Sequence, residues 1–262
     1  MKGAFNMNYS NGITVFIGNE GLWAEGEMRD RAITLPVSDS ELQRFLEGNG
    51  LVTPMHMQEE TYIADFLDGV PFDHPEIFAH ATAEQMNMLA QQLKMADPDD
   101  LDKVEEWIDS FHTPKNITQL MNLIERADLI EKVDFEYKDG DTPEENYAFY
   151  VLDENPKLKE SIEAAGIAID YKRTGYDRSI IDEVTLTDSG FFVDSGEAPN
   201  LNMYSLDELK ELIGEEYDRQ DDKGFFNEKQ VGLSDMMGTL RDAAEHKHDT
   251  RDNTHSHDID AR

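Results

Sequence analysis

Apolar residues change their spacing several times along this chain, and each change marks an element. Ile13-Thr-Val-Phe-Ile17 alternates β-branched and aromatic residues with the period of a strand. Ala32 to Val37 and Thr61 to Phe66 read the same way. Ser38, with Glu41 three residues on, forms a capping box that opens a short helix burying Leu42, Phe45 and Leu46 and ending at Gly48. Beyond Phe72 the period lengthens. Thr82 and Gln85 form a second capping box, and Met86, Leu89, Ala90 and Leu93 recur on one helical face. Asp97-Pro98 starts another helix, apolar at Leu101, Val104, Ile108 and Phe111. A third is expected from about Ile117 to Ile130, with Leu120, Met121, Ile124 and Ala127 facing inward.

The pattern then breaks into shorter pieces. Thr142, Pro143 and Glu145 begin a helix carrying Tyr147, Phe149, Tyr150 and Val151. Pro156 interrupts it, and a second short helix runs to Ala165, stopped by Gly166. Val184 to Val193 reads as a hairpin around Asp188 to Gly190. Ala198-Pro199-Asn200 reads as a boundary, after which Ser205 and Glu208 cap an amphipathic helix with Leu206, Leu209 and Ile213. A weaker helix is expected over 233–245, and a polar, disordered stretch from His246. There is no internal repeat. These elements predict an α+β chain: an N-terminal extension (1–12), an α+β domain (13–72), a mainly helical middle domain (73–130), a second α+β domain (131–197) and an acidic, partly disordered extension (198–262).

Charge changes this picture most. Of 262 residues, 57 are Asp or Glu and 23 are Lys or Arg, a formal net charge of −34. The excess is spread: −7 over 1–72, −8 over 73–130, −11 over 131–199 and −8 over 200–262. Such a chain repels nucleic acid and anionic membranes and attracts a protein with a broad basic groove. At one charge per ~1.7 Å of duplex axis, its net charge matches about 58 Å, or roughly 17 base pairs, of B-DNA. The absence of cysteine excludes disulfides, thiolate metal sites and a cysteine nucleophile. No signal-peptide core and no stretch of membrane-spanning length is present, so a soluble cytoplasmic protein is expected.

The helix after Pro98 presents Asp99, Asp102, Glu106 and Asp109 opposite its apolar face. Those carboxylates span about 15 Å at ~1.5 Å per residue, a length in which one DNA strand places about four phosphates. An ordinary solvated face, with acids favoured at the positive helix N-terminus, would look the same. Other chemistry finds little support. An EF-hand starting at Asp97 fails, because Asp102 stands where Gly is required and Ile108 where Glu is required. The run from Asp218 to Lys229 fails in the same way, with Lys223 at its sixth position. Nucleophile-elbow and phosphate-loop patterns are absent. With so many acids, paired carboxylates carry no catalytic signal. His246, His248, His255 and His257 form two His-x-His pairs in a polar tail, while His56, His74, His80 and His112 lack ligand spacing. Tyr62, Phe66, Tyr147, Tyr150, Tyr171 and Tyr176 lack the basic surroundings of base-stacking platforms and read as core or dimer-contact rings. No catalytic, cofactor-binding or metal-ligating residues are assigned.

Three segments of the first part go together in order and spacing: Val15-Phe-Ile-Gly-Asn-Glu-Gly-Leu-Trp-Ala-Glu-Gly-Glu27, Ile33-Thr-Leu-Pro-Val-Ser-Asp-Ser-Glu-Leu42 and Glu60-Thr-Tyr-Ile-Ala-Asp-Phe66. Further along come Ile169-Asp-Tyr171, Gly175-Tyr-Asp-Arg178 and the Asp188-Ser-Gly-Phe-Phe192 hairpin. Through these segments the chain, from Ile13 to Glu197, resembles the ArdA-type antirestriction proteins. The resemblance implies three small domains in a row, paired into an elongated, curved homodimer. It further implies a mimic of bent B-DNA that occupies the DNA groove of type I restriction-modification enzymes and protects incoming mobile-element DNA. Such an activity has no active site and rests on a distributed acidic surface. The candidates for that surface are Glu20, Glu25 and Glu27 in the first domain and Asp99, Asp102, Glu106 and Asp109 in the middle. Asp134, Glu136, Asp139 and Asp141 are the candidates in the third. The expected partner is the methyltransferase core of the enzyme, with no cofactor. Three rivals stay open: a salt-adapted soluble protein, an acidic chaperone of basic DNA-binding proteins, and an enzyme with an acidic surface.

Overall fold

The computed structural model describes residues 9–67, 70–136, 140–193 and 199–221. The chain divides into a unit from Arg219 to Arg262 and a larger one ending at Asp218. It is mixed α and β, with two small antiparallel sheets. Asp139, the helix expected over 233–245 and the four tail histidines lie outside the described residues.

In the first sheet the central strand β1 (Ile13–Asn19) lies between β2 (Arg31–Leu35) and β3 (Thr61–Phe66). Its centre position explains why Ile13, Val15 and Ile17 are all buried. A five-residue helix α1 (Glu20–Ala24), absent from the periodicity reading, follows β1 directly, and Asn19 caps it by accepting from the Leu22 N–H. Helix α2 (Asp39–Gly48) opens on the expected Ser38–Glu41 capping box. Helices α3 (Ala83–Met95), α4 (Pro98–Phe111) and α5 (Ile117–Glu125) come next. The third is shorter than its apolar spacing predicts: Arg126 leaves helical geometry, and Ala127–Leu129 forms a 3-10 turn.

One continuous apolar cluster joins this sheet to α3, α4 and α5. Val104 and Ile108 of α4 are buried in it, each worth roughly 1.5–3 kcal/mol against exposure. Two buried asparagines tie distant segments to the helices. Asn87 of α3 bonds both the N–H and the carbonyl of Val37, at 2.9 Å each. Asn122 of α5 does the same for Tyr204, at 2.8 and 3.0 Å.

The remaining elements are β4 (Lys132–Asp134), α6 (Pro143–Glu154), α7 (Pro156–Ala165), α8 (Tyr171–Ile181), β5 (Val184–Leu186), β6 (Gly190–Val193) and α9 (Leu206–Asp221). The second sheet has the order β4-β6-β5. Its own core is small: Phe135, Tyr147 and Phe191. Helix α8 crosses α6 at Gly175, where an added Cβ would lie 1.7 Å from the Glu144 carbonyl oxygen. Neither β4 nor α8 was legible in the residue pattern. In α9, Leu209 and Ile213 are buried in the main cluster, so the segment after Pro199 is anchored on the helical region.

Candidate functional site

The acidic surface around α4 begins with its cap. Asp97 accepts from the Asp99 N–H at 2.9 Å, and Pro98 takes the first helical position. Asp99 and Asp100 fill the first turn, where the helix dipole favours negative charge. Asp99, Asp102 and Asp109 are exposed. Asp109 meets His74 at 3.2 Å, and Glu76 meets the other ring nitrogen at 2.9 Å. Burial opposes the charged imidazole, but the two carboxylates outweigh it and raise the His74 pKa.

Glu106, expected in the same stripe, has a different role. It accepts from Lys132 Nζ at 2.9 Å, from Thr187 Oγ1 at 3.1 Å and from Ser189 Oγ at 2.6 Å. A helical wheel places Glu106 opposite the apolar face, where solvent is assumed. Here Lys132 of β4 and the β5–β6 turn reach Glu106 itself, which fastens them to α4 and leaves Asp99, Asp102 and Asp109 exposed. Lys132 also meets Asp134 at 2.7 Å, and these two carboxylates raise its pKa against the opposing effect of burial.

The acid that periodicity missed is Glu105. It is half-buried, and its pKa is raised by that burial and then by Asp109, Asp102, Glu106 and Asp73. Burial pushes the nearby Tyr9 hydroxyl up to about 12 against a backbone hydrogen bond with Phe72, and Glu105 adds to the rise. The carboxylates on this part of the molecule are thus close enough to repel one another.

The other candidates fall into two places. Glu20, Glu25 and Glu27 are exposed around α1. Glu25 lies 3.5 Å from the buried His56, which Glu60 approaches from the other side at 3.8 Å, while Glu27 pairs with Arg29 at 2.5 Å. Asp134, Glu136 and Asp141 are exposed in the region of the second sheet and α6. The Asp141 N–H donates to Glu145 at 2.8 Å. The structure therefore fixes these candidates on separate elements and does not gather them into one pocket.

A cleft of about 690 Å³ is lined by residues including His80, Lys115, Gln119, Asn202, Ser205 and Glu208. Four of these groups hold one another. Ser205 gives its hydroxyl to Glu208 at 2.8 Å as a helix cap, and Gln119 donates to Asn202 at 3.1 Å. Among the described residues, no group of three or more His, Asp or Glu side chains is placed to hold a metal ion. No helix among them is long and apolar enough to cross a membrane.

The profile of the antirestriction protein family (ArdA) matches residues 15–193. The chain belongs to the ArdA family. A search of the curated proteins finds no match. ArdA membership implies an antirestriction function and an interaction with restriction-modification enzymes. The match ends at the last residue of β6, so the anchored segment from Pro199 through α9 is an addition to the family's matched span.

Proposed function

We propose that this ArdA-family protein is a B-DNA mimic. Acting in the cytoplasm, it occupies the DNA groove of a type I restriction-modification enzyme, on the methyltransferase core, and so protects incoming mobile-element DNA. The observation that carries this reading is the crowding of carboxylates on α4. Asp99, Asp102 and Asp109 stand exposed on a helix whose opposite side is locked into the core, and the half-buried Glu105 has its pKa raised by burial first and by Asp109 and Asp102 after it. Lys and Arg in the groove would meet fixed carboxylates in place of phosphates, with attraction that weakens as salt rises.

The protein acts as a homodimer in this reading, which doubles the mimicked length to roughly 34 base pairs by the same ~1.7 Å spacing. Helix α8 supports a pairing face. It turns Gly175 and Ser179 inward and exposes Tyr176, Ile180 and Ile181, the reverse of a helix meant for water.

Competition tests the reading. Purified protein is titrated against a labelled duplex bound to a type I methyltransferase core at modest salt. Displacement at micromolar concentration or below is expected. The triple substitution Asp99→Lys, Asp102→Lys, Asp109→Lys should weaken it at least a hundredfold, roughly 2.7 kcal/mol, whereas each single change does little. Failure of the parent protein to displace DNA would overturn the proposal.

A further inference from the structure

The surface around α1 combines negative charge with apolar side chains that ordinary solvent exposure does not explain. Trp23, Met55 and Met57 are 60%, 77% and 64% exposed. Their segments are held against each other. Asn19 Nδ2, just ahead of α1, donates to the Met57 carbonyl at 3.1 Å, and Glu25, just after it, reaches His56 between the two methionines. Glu60 accepts from the Met57 N–H at 3.0 Å, which fixes the loop from the other side. The buried imidazole of His56 thus lies where these two segments meet, with Glu25 and Glu60 on its two ring nitrogens, and the segments carry the exposed Trp23, Met55 and Met57.

A duplex imitator needs carboxylates, but charge alone gives no reason to keep an indole and two thioethers in water. The chemistry that suits both is an arginine side chain. Its guanidinium is attracted to carboxylates and to an indole face, and its aliphatic stem is covered well by methionine. Basic DNA grooves supply such side chains, and Trp and Arg are the residue types enriched at energetic centres of interfaces.

We propose that Trp23, Met55 and Met57 form an apolar anchor that clasps an arginine from the partner's basic groove, with Glu20, Glu25 and Glu60 holding its charged head. This rests on the groove-binding reading above and adds to it a contact that salt does not screen. The two contributions separate in one experiment. Displacement of labelled duplex from a type I methyltransferase core is measured across a salt series with the full chain, the variant Trp23→Ser/Met55→Ser/Met57→Ser, and the variant Glu20→Gln/Glu25→Gln. The anchor variant should need about thirtyfold more protein at every salt concentration, with the slope against log salt unchanged. The acid variant should lose affinity mainly at low salt and show a shallower slope. The emission of Trp23, identified by its loss in Trp23→Phe, should shift to the blue on binding. If the anchor variant competes within twofold of the parent, the inference is overturned while groove binding stands. If the parent does not displace DNA at all, both fall.

Discussion

Helices α4 and α8 make opposite uses of the same lattice of positions. In α4, Val104 and Ile108 go into the core and the aspartates stay in water. In α8 the inward positions are Gly175 and Ser179, while Ile180 and Ile181 are 60% and 69% exposed. The first arrangement buries its apolar side within the chain. The second buries little of its own apolar surface. Under the function proposed above, the two faces divide the work, α4 meeting the restriction enzyme by electrostatics and α8 a second copy of the chain by area.

The widest gap between them should appear on truncation of a single isoleucine. Ile108→Ala should cost about 3 kcal/mol of unfolding free energy, the usual price of a buried cavity, measured by urea denaturation. Ile180→Ala should change monomer stability by no more than about 0.5 kcal/mol. Ile180→Asp/Ile181→Asp should instead shift sedimentation towards the monomer with an unchanged circular dichroism spectrum. A large loss of fold stability in Ile180→Ala would show that α8 is completed from within the chain.

The close approach of α8 to α6 gives the next effect. At Gly175 a methyl group would collide with backbone, which cannot rotate away as a side chain could. Gly175→Ala should therefore destabilise by about 2–3 kcal/mol, although alanine is the better helix former by about 1 kcal/mol. A thermal melt would register the loss, and a rise in Tm would refute the tight crossing.

This contrast also explains what could be read in advance. The capping boxes at Ser38 and Thr82, the helix start at Thr142 and the Ser205–Glu208 cap are local chemistry, complete within four residues, and all four formed, the Thr142 start as a capping box too. Helices α3 and α4 announce themselves because one side is apolar and the other is not. Helix α8 has no such contrast, since its buried side is small and its exposed side is apolar, so residues 171–181 gave no helical pattern. Strand β4 is three residues long and carries Lys132 and Asp134, too short and too polar to alternate visibly. The acidic surface was legible as composition and only partly as residues. Glu106 and Glu105 are adjacent in sequence, and only the β5–β6 hairpin decides that the first is a tether and the second part of the crowd.

That tether yields a smaller prediction. Lys132→Met leaves Glu106 with the hydroxyls of Thr187 and Ser189 but no neutralising charge, and should cost about 1–2 kcal/mol, less than a fully buried ion pair because Glu106 keeps some solvent. In a double-mutant cycle with Glu106→Gln, the coupling should be about 1 kcal/mol. A coupling near zero would return Glu106 to the solvated acids and remove the electrostatic link between α4 and β4.

Glu105 supplies the smallest effect, set by its burial first and by the neighbouring carboxylates second. Its folded-state pKa is raised, so the native protein holds this proton to higher pH than the unfolded chain does. By linkage, the residue costs stability above the ordinary glutamate range and nothing below it, where both states are protonated. Glu105→Gln should therefore stabilise the fold at neutral pH, by only a few tenths of a kcal/mol because solvent screens a half-exposed group. The gain should fade as pH drops below the usual glutamate range, and molar salt should shrink it at neutral pH. Under the proposed function, the same substitution should slightly weaken competition with DNA, since it removes one charge from the α4 surface. A protein selected for stability alone would have made this replacement. Opposite signs for folding and for competition are what a face kept acidic for its partner must show, and equal signs would place the crowding of α4 among the ordinary accidents of an acidic surface.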